Sequence, residues 1–231
     1  MLVASRLSIS AEHCQVFFGN EIITFPPAAT KFWVIDGFAL SPNAFSSPIS
    51  KIYHCTATEL CIQEQILSFN EFCFISSNTN DIHFAKVTVK NDDGSIVAFE
   101  KLVETLPKVK AIFYRADSAF PSFTKETIHE LVKIPHFFKI IKLHIFDVSE
   151  AFDLEAFYNF IKSNKFTNIQ ISFNESISER YKKRIGEIID EIIATEGSFT
   201  YKPPHITFVG NDPDRWNKLR SISAKFLGHS F

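Results

Sequence analysis

The chain has 231 residues, 45% of them hydrophobic and 22% charged, with seven glycines, ten prolines and a net charge of −2. That length and balance support a folded core and exclude a disordered or fibrous chain. A pI near 6.4 leaves no overall basic field, so neither nucleic acid nor a membrane is expected as a partner.

The 26 phenylalanines predict an aromatic-rich core. The basic run Lys182-Lys183-Arg184 is followed by Glu187, Asp190 and Glu191 and reads as a solvated helix face. No apolar run approaches the length of a membrane span, and Arg6, Glu12 and His13 interrupt any signal-peptide core. Cys14, Cys55, Cys61 and Cys73 form no Cys-x-x-Cys pair, so reduced thiols and an intracellular site, cytoplasmic or nuclear, are expected.

In chain order, Gln15–Phe18 and Glu21–Phe25 flank Gly19-Asn20, a two-residue hairpin turn. Residues with strand spacing then recur: Phe32-x-Val34, Leu60-x-Ile62, Ala85-x-Val87-x-Val89, Ile112-x-Tyr114, Ile141-x-Leu143-x-Ile145 and Ile169-x-Ile171-x-Phe173. Their centres at 34, 60, 87, 114, 143 and 171 are separated by 26, 27, 27, 29 and 28 residues. Between them, Ala98–Leu106 and Thr124–Ile134 read as helices stopped by Pro107 and Pro135, the second capped by Thr124. Asp153 caps the next helix, and Ser176-Ile177-Ser178-Glu179 opens a longer one with its stripe at Tyr181, Ile185, Ile188 and Ile192. Asp212-Pro213 starts a short last helix.

A strand and a helix every 28 residues or so predict an α/β leucine-rich-repeat-like solenoid of about five to six βα units with a parallel sheet. The alternative is an ordinary open α/β sheet. Residues 1–231 then form one domain: a hairpin cap at 1–30, repeats over 31–195 and a carboxyl-terminal cap at 196–231.

Catalytic signatures are missing. Neither a phosphate-cradling glycine motif nor Gly-x-Ser-x-Gly nor His-Glu-x-x-His is present. His13-Cys14 and His54-Cys55 are adjacent pairs whose members point to opposite faces of a strand, so neither pair builds one metal site. Glu59, Glu64, Asp147 and Glu150 have no acid–base spacing. No catalytic, cofactor-binding or metal residue, and no cofactor, is therefore expected. The strand face turned away from the helices remains. One outward row is expected to run Trp33, Glu59, Lys86, Phe113, Lys142, Gln170 and the next Ile35, Cys61, Thr88, Arg115, His144, Ser172. Lys86, Phe113, Arg115, Lys142, His144 and Gln170 are the candidate partner-binding residues.

FDLEAFYNFIKSNKFTNIQISFNESISERYKKRIGEIIDEII, over Phe152–Ile193, resembles the carboxyl-terminal part of nematode F-box-associated proteins. KFWVIDGF (Lys31–Phe38) and SPISKIYHCTATEL (Ser47–Leu60) have the same character. The resemblance implies a non-enzymatic protein-interaction domain, the substrate-recognition part of a ubiquitin-ligase-related family. The amphipathic helices of an F-box are absent, since the chain opens on strand-like RLSIS and CQVFF; direct adaptor binding is accordingly not implied. The competing expectation is a small-molecule-binding or enzymatic α/β domain with its site at the carboxyl ends of the strands.

Overall fold

The computed structural model describes residues 2–10, 14–25, 31–42, 48–117, 119 and 122–227. The chain runs β1 (Leu2–Ile9), β2 (Cys14–Phe18), β3 (Glu21–Phe25), β4 (Phe32–Leu40), β5 (Ile52–Cys55), β6 (Glu59–Gln63), β7 (Ile66–Ser68), α1 (Phe69–Ser76), β8 (Asp81–Ala85) and β9 (Thr88–Lys90). It continues α2 (Phe99–Glu104), β10 (Ala111–Arg115), α3 (Thr127–Leu131), β11 (Lys142–Val148), α4 (Leu154–Ser163), β12 (Asn168–Phe173), α5 (Glu179–Ala194), β13 (His205–Thr207) and α6 (Pro213–Leu227).

Eleven strands form one open sheet: ten follow the order β13-β12-β11-β10-β8-β6-β4-β1-β2-β3, and β5 pairs beside them with β4. From β13 to β1 every pairing is parallel, whereas β2 is antiparallel to both β1 and β3 and is joined to β3 through the tight Gly19–Asn20 turn. β7 and β9 form a separate parallel pair.

This mixed sheet corrects the expected solenoid of about five to six equal βα units. Residues in register along the sheet are Phe38, Leu60, Ile82, Ile112, Leu143 and Ile169, so the true steps are 22, 22, 30, 31 and 26 residues. The even spacing depended on Val87 and Val89, which are buried but lie outside the main sheet, Val89 in the β7–β9 pair. Burial at alternate positions therefore marked a strand of the wrong sheet. The true strand β8 begins four residues earlier, at Asp81, and buries Ile82 and Phe84. Connections of unequal length, one containing β7 and α1 and the next β9 and α2, replace a repeating unit.

One face of the sheet is the core face. Leu60, Ile82, Ile112, Leu143 and Ile169 are all nearly inaccessible there, as are Ile62, Phe84, Tyr114, Ile145 and Ile171. Rings from the helical layer close on them: Phe72 of α1 against Phe84, Phe99 of α2 against Tyr114, and Tyr181 of α5 against Phe173. Aromatic pairs in such edge-to-face contact add to the burial of their large areas. Tyr114 brings a hydroxyl into this core, where it meets Ser122 Oγ at 3.0 Å and donates to the Val87 carbonyl at 3.3 Å.

Caps fix where the helices begin. Ser68 and Glu71 form a reciprocal capping box at α1, Asp153 accepts from the Ala156 amide at 2.9 Å, and Ser178 accepts from Tyr181. Thr124 sits upstream of α3, accepting from the Glu126 amide, so the regular helix starts only at Thr127. α6 is 15 residues long, exceeding the short helix expected after Pro213. Among the described residues no helix is long and apolar enough to cross a membrane.

Candidate functional site

On the opposite face the alternation leaves half-buried side chains, and register aligns them across the parallel strands. The middle column reads Ala39, Cys61, His83, Phe113, His144, Gln170 and His205. His83 stacks on Phe113 with centroids 4.2 Å apart and planes 10° from parallel. His144 meets the other side of Phe113 edge-on, at 4.6 Å and 78°. Phe113 is thus held between two imidazoles contributed by neighbouring strands. At the β13 edge His205 lies 6.2 Å from Trp216 of α6, over which the Arg220 guanidinium is placed at 5.1 Å.

Two imidazoles of this column, His144 and His205, are held toward the neutral form. Burial pushes the His144 imidazole down to about 4, with the charges of Lys142, His205 and His83 adding to the effect. His205 is lowered by burial and by Arg220. The Nε2 atoms of His144 and His205 are both buried without a hydrogen-bond partner. Burial likewise raises the Cys61 thiol and keeps it protonated. Among the described residues no three His, Cys, Asp or Glu side chains come together as a metal site.

A second group borders the column toward the carboxyl ends of the strands. Arg115 bonds Asp147 at 2.8 Å and lies over the Phe146 ring at 5.3 Å. A register shift in β11 between Ile145 and Val148 makes this contact, with Asp147 at φ 60°. Such bulges re-aim one side chain at the end of a strand. Toward the other end of the strands, Arg6 lies across Gly37 to pair with Glu59. A Cβ on Gly37 would lie 2.6 Å from Arg6 Nε, so a larger residue there would make the flexible Arg6 side chain shift from this path.

Of the six residues proposed from sequence, Phe113, His144 and Gln170 belong to the middle column. Arg115 sits beside Phe146 in the adjoining row, and Lys142 starts β11 in the row of Ala111 and Asn168. Lys86 is elsewhere: it occupies the turn after β8 at φ 53°, exposed, 3.6 Å from Glu64. Thr88, expected to face outward, is buried in β9. The expected rows were therefore shifted, since Phe113 has His83 and His144 as neighbours in place of Lys86 and Lys142. His83, Phe146, His205 and Trp216 were not expected from the sequence. The signal for His83 was present in Asp81–Ala85, where Ile82 and Phe84 alternate with it.

His13 lies outside the described residues. In the other pair, Cys55 is buried with its thiol toward the Ile75 carbonyl, while His54 is exposed against Trp33.

A cleft of about 610 Å³ opens where α4 and α5 begin, beyond the carboxyl ends of β11 and β12. Several of its polar groups cap the helix starts or link the two helices. Glu150 accepts from the Ser178 amide at 2.7 Å, Asp153 from Ala156, and Tyr181 donates to the Phe152 carbonyl at 2.8 Å. Arg184 grips Glu155 through two nitrogens and also reaches Glu191.

The architecture and site together define a mixed α/β domain with an imidazole–aromatic column on one sheet face. No family model, curated protein or solved structure matches the chain.

Proposed function

We propose that the chain is a non-enzymatic protein-interaction domain that binds its partner on the outer sheet face, centred on Phe113. The observation that carries this is the packing of Phe113 between His83 and His144 on a half-buried surface, with the Arg115–Asp147 pair at its border. An aromatic anchor held rigid by its neighbours loses little side-chain freedom on binding, and aromatic and Arg side chains dominate interface energies. The His144 imidazole, held neutral by burial, can donate and accept hydrogen bonds without carrying a charge into a desolvated interface. The resemblance to F-box-associated proteins supports the finer assignment, recognition of a protein to be ubiquitinated. Four unpaired thiols suit an intracellular setting.

The test compares affinity capture from native extract by the wild-type chain and by a Phe113→Ala/Arg115→Ala variant. A recurrent client should be retained by the former and lost by the latter, with a loss of about 2 kcal/mol or more in direct binding. Thermal unfolding checks that the variant is folded. Equal capture by both chains refutes the site, and ubiquitin-ligase subunits among the captured proteins support the finer assignment.

A further inference from the structure

The net charge of −2 conceals a separation of charge along the strands. Residues 105–116, 131–146, 156–174 and 197–211 contain no Asp or Glu, whereas the stretches between them and the residues from Asp212 onward hold the carboxylates of that half. The acid-free stretches lead into the amino ends of β10, β11, β12 and β13, which are parallel neighbours. Their leading residues are therefore brought side by side on one rim. Main-chain bonds tie this rim together: Ile141 donates to the Lys110 carbonyl at 2.7 Å, Asn168 to Ile141 at 2.7 Å, and Lys202 to Asn164 at 2.8 Å.

Lys108, Lys110, Lys139, Lys142, Lys165 and Lys202 populate this rim, and all but Lys202 are exposed. Among them stand large apolar side chains turned to solvent: Phe166 at 77% exposure, Ile141 at 56% and Phe138 at 52%. In the strand-leading row the first carboxylate is Asp81, at the start of β8, beside Ala111 and Lys142; Glu104 of α2 and Glu130 of α3, which precede two of the connections, are paired with Lys101 and Lys133. The opposite ends of the same strands lead to Asp117, Asp147, Glu150, Asp153 and Glu175.

From this juxtaposition we infer that the lysine-flanked apolar rim of β10–β13 is a peripheral docking surface for an anionic lipid bilayer. Three features select this occupant. The positive charge is all lysine, a strongly hydrated point charge that attracts a diffuse anionic surface and is depleted from protein interfaces, where Arg is preferred. The apolar groups protrude from strand-leading turns, where they can enter the headgroup region while the ammonium groups stay among the phosphates. The charge complementarity is one-sided, with the acidic end held away from the membrane. The inference adds a second surface to the outer face and does not depend on it.

The experiment is co-sedimentation of the full chain with vesicles of phosphatidylcholine alone or containing about one-third phosphatidylserine. Binding should appear only with the anionic vesicles and weaken as salt is raised. Each Lys→Gln change at Lys110, Lys139 or Lys165 should reduce partitioning about fivefold. Phe138→Ser/Ile141→Ser/Phe166→Ser should reduce it by about tenfold or more, with the thermal midpoint unchanged. If that triple variant loses stability, Phe166→Ser alone takes its place. A Phe166→Trp chain should show a blue-shifted emission on anionic vesicles relative to wild type. Equal partitioning to neutral and anionic vesicles, or an unaltered apolar variant, overturns the inference. So does binding to an oligonucleotide or to polyglutamate without binding to vesicles, which would make the rim a site for another polyanion.

Discussion

Replacing His144 with phenylalanine removes one titrating group from the outer face and keeps a ring against Phe113. In the folded chain His144 binds its proton only at about 4, because the ring is half-buried and sits near Lys142, His205 and His83. In the unfolded chain it titrates near 6.5. Between these values the unfolded state holds the proton and the folded state does not. Stability from this group is thus complete above pH 6.5 and is lost as pH falls toward 4. The drop from 6.5 to about 4, at roughly 1.4 kcal/mol per pK unit, sets a ceiling of about 3.5 kcal/mol. Water screens a half-buried ring, which reduces the expected effect to about 1–2 kcal/mol. Urea unfolding at pH 7.5 and at pH 4.5 should therefore show a steeper loss in wild type than in His144→Phe, by about that amount. The remaining acid sensitivity in the variant includes His205, which is shifted in the same direction. Ring titration by NMR gives the direct value. A His144 that titrates near 6.5, or an equal loss of stability in both chains, would refute the burial of its imidazole in this column.

Two further outcomes test the packing that supports the site. Phe152→Ala empties a fully buried position between Phe123 and Phe157 and should cost about 3–5 kcal/mol, read as a lowered urea midpoint. Ser68→Ala breaks the reciprocal cap with Glu71 and should cost about 1 kcal/mol, with Ser68→Asp restoring most of it in the same assay.

The legible parts of the fold are those set by neighbours in sequence. Ile112 and Tyr114, Leu143 and Ile145, and Ile169, Ile171 and Phe173 alternate because one face of each strand is buried, and all point into the core. Asp153 marks the start of α4, and the Ile185, Ile188, Ile192 stripe marks the buried side of α5. Long-range pairing was not legible. Nothing local makes β1 parallel to β4 and antiparallel to β2, since the hairpin of β2 and β3 separates β1 from β4 in the chain. Val87 and Val89 are buried as well as any strand of the main sheet, and burial does not say in which sheet.

That ambiguity carried into the site. A slip in one strand re-pairs every outward neighbour across it, so Lys86 was aligned with Phe113 where His83 stacks. The rim lysines were legible only as a pattern of acid-free stretches, and the summed charge averages them against the carboxylates at the other strand ends.

The parallel run from β13 to β1 gives the molecule an axis, with ammonium groups at its foot and carboxylates at its head over β10–β13. On the proposed docking, such an electrical asymmetry would stand the strands upright on a negatively charged plane. Were both proposed surfaces occupied, the Phe113 surface would form a vertical wall beside the bilayer, open to a second macromolecule diffusing sideways.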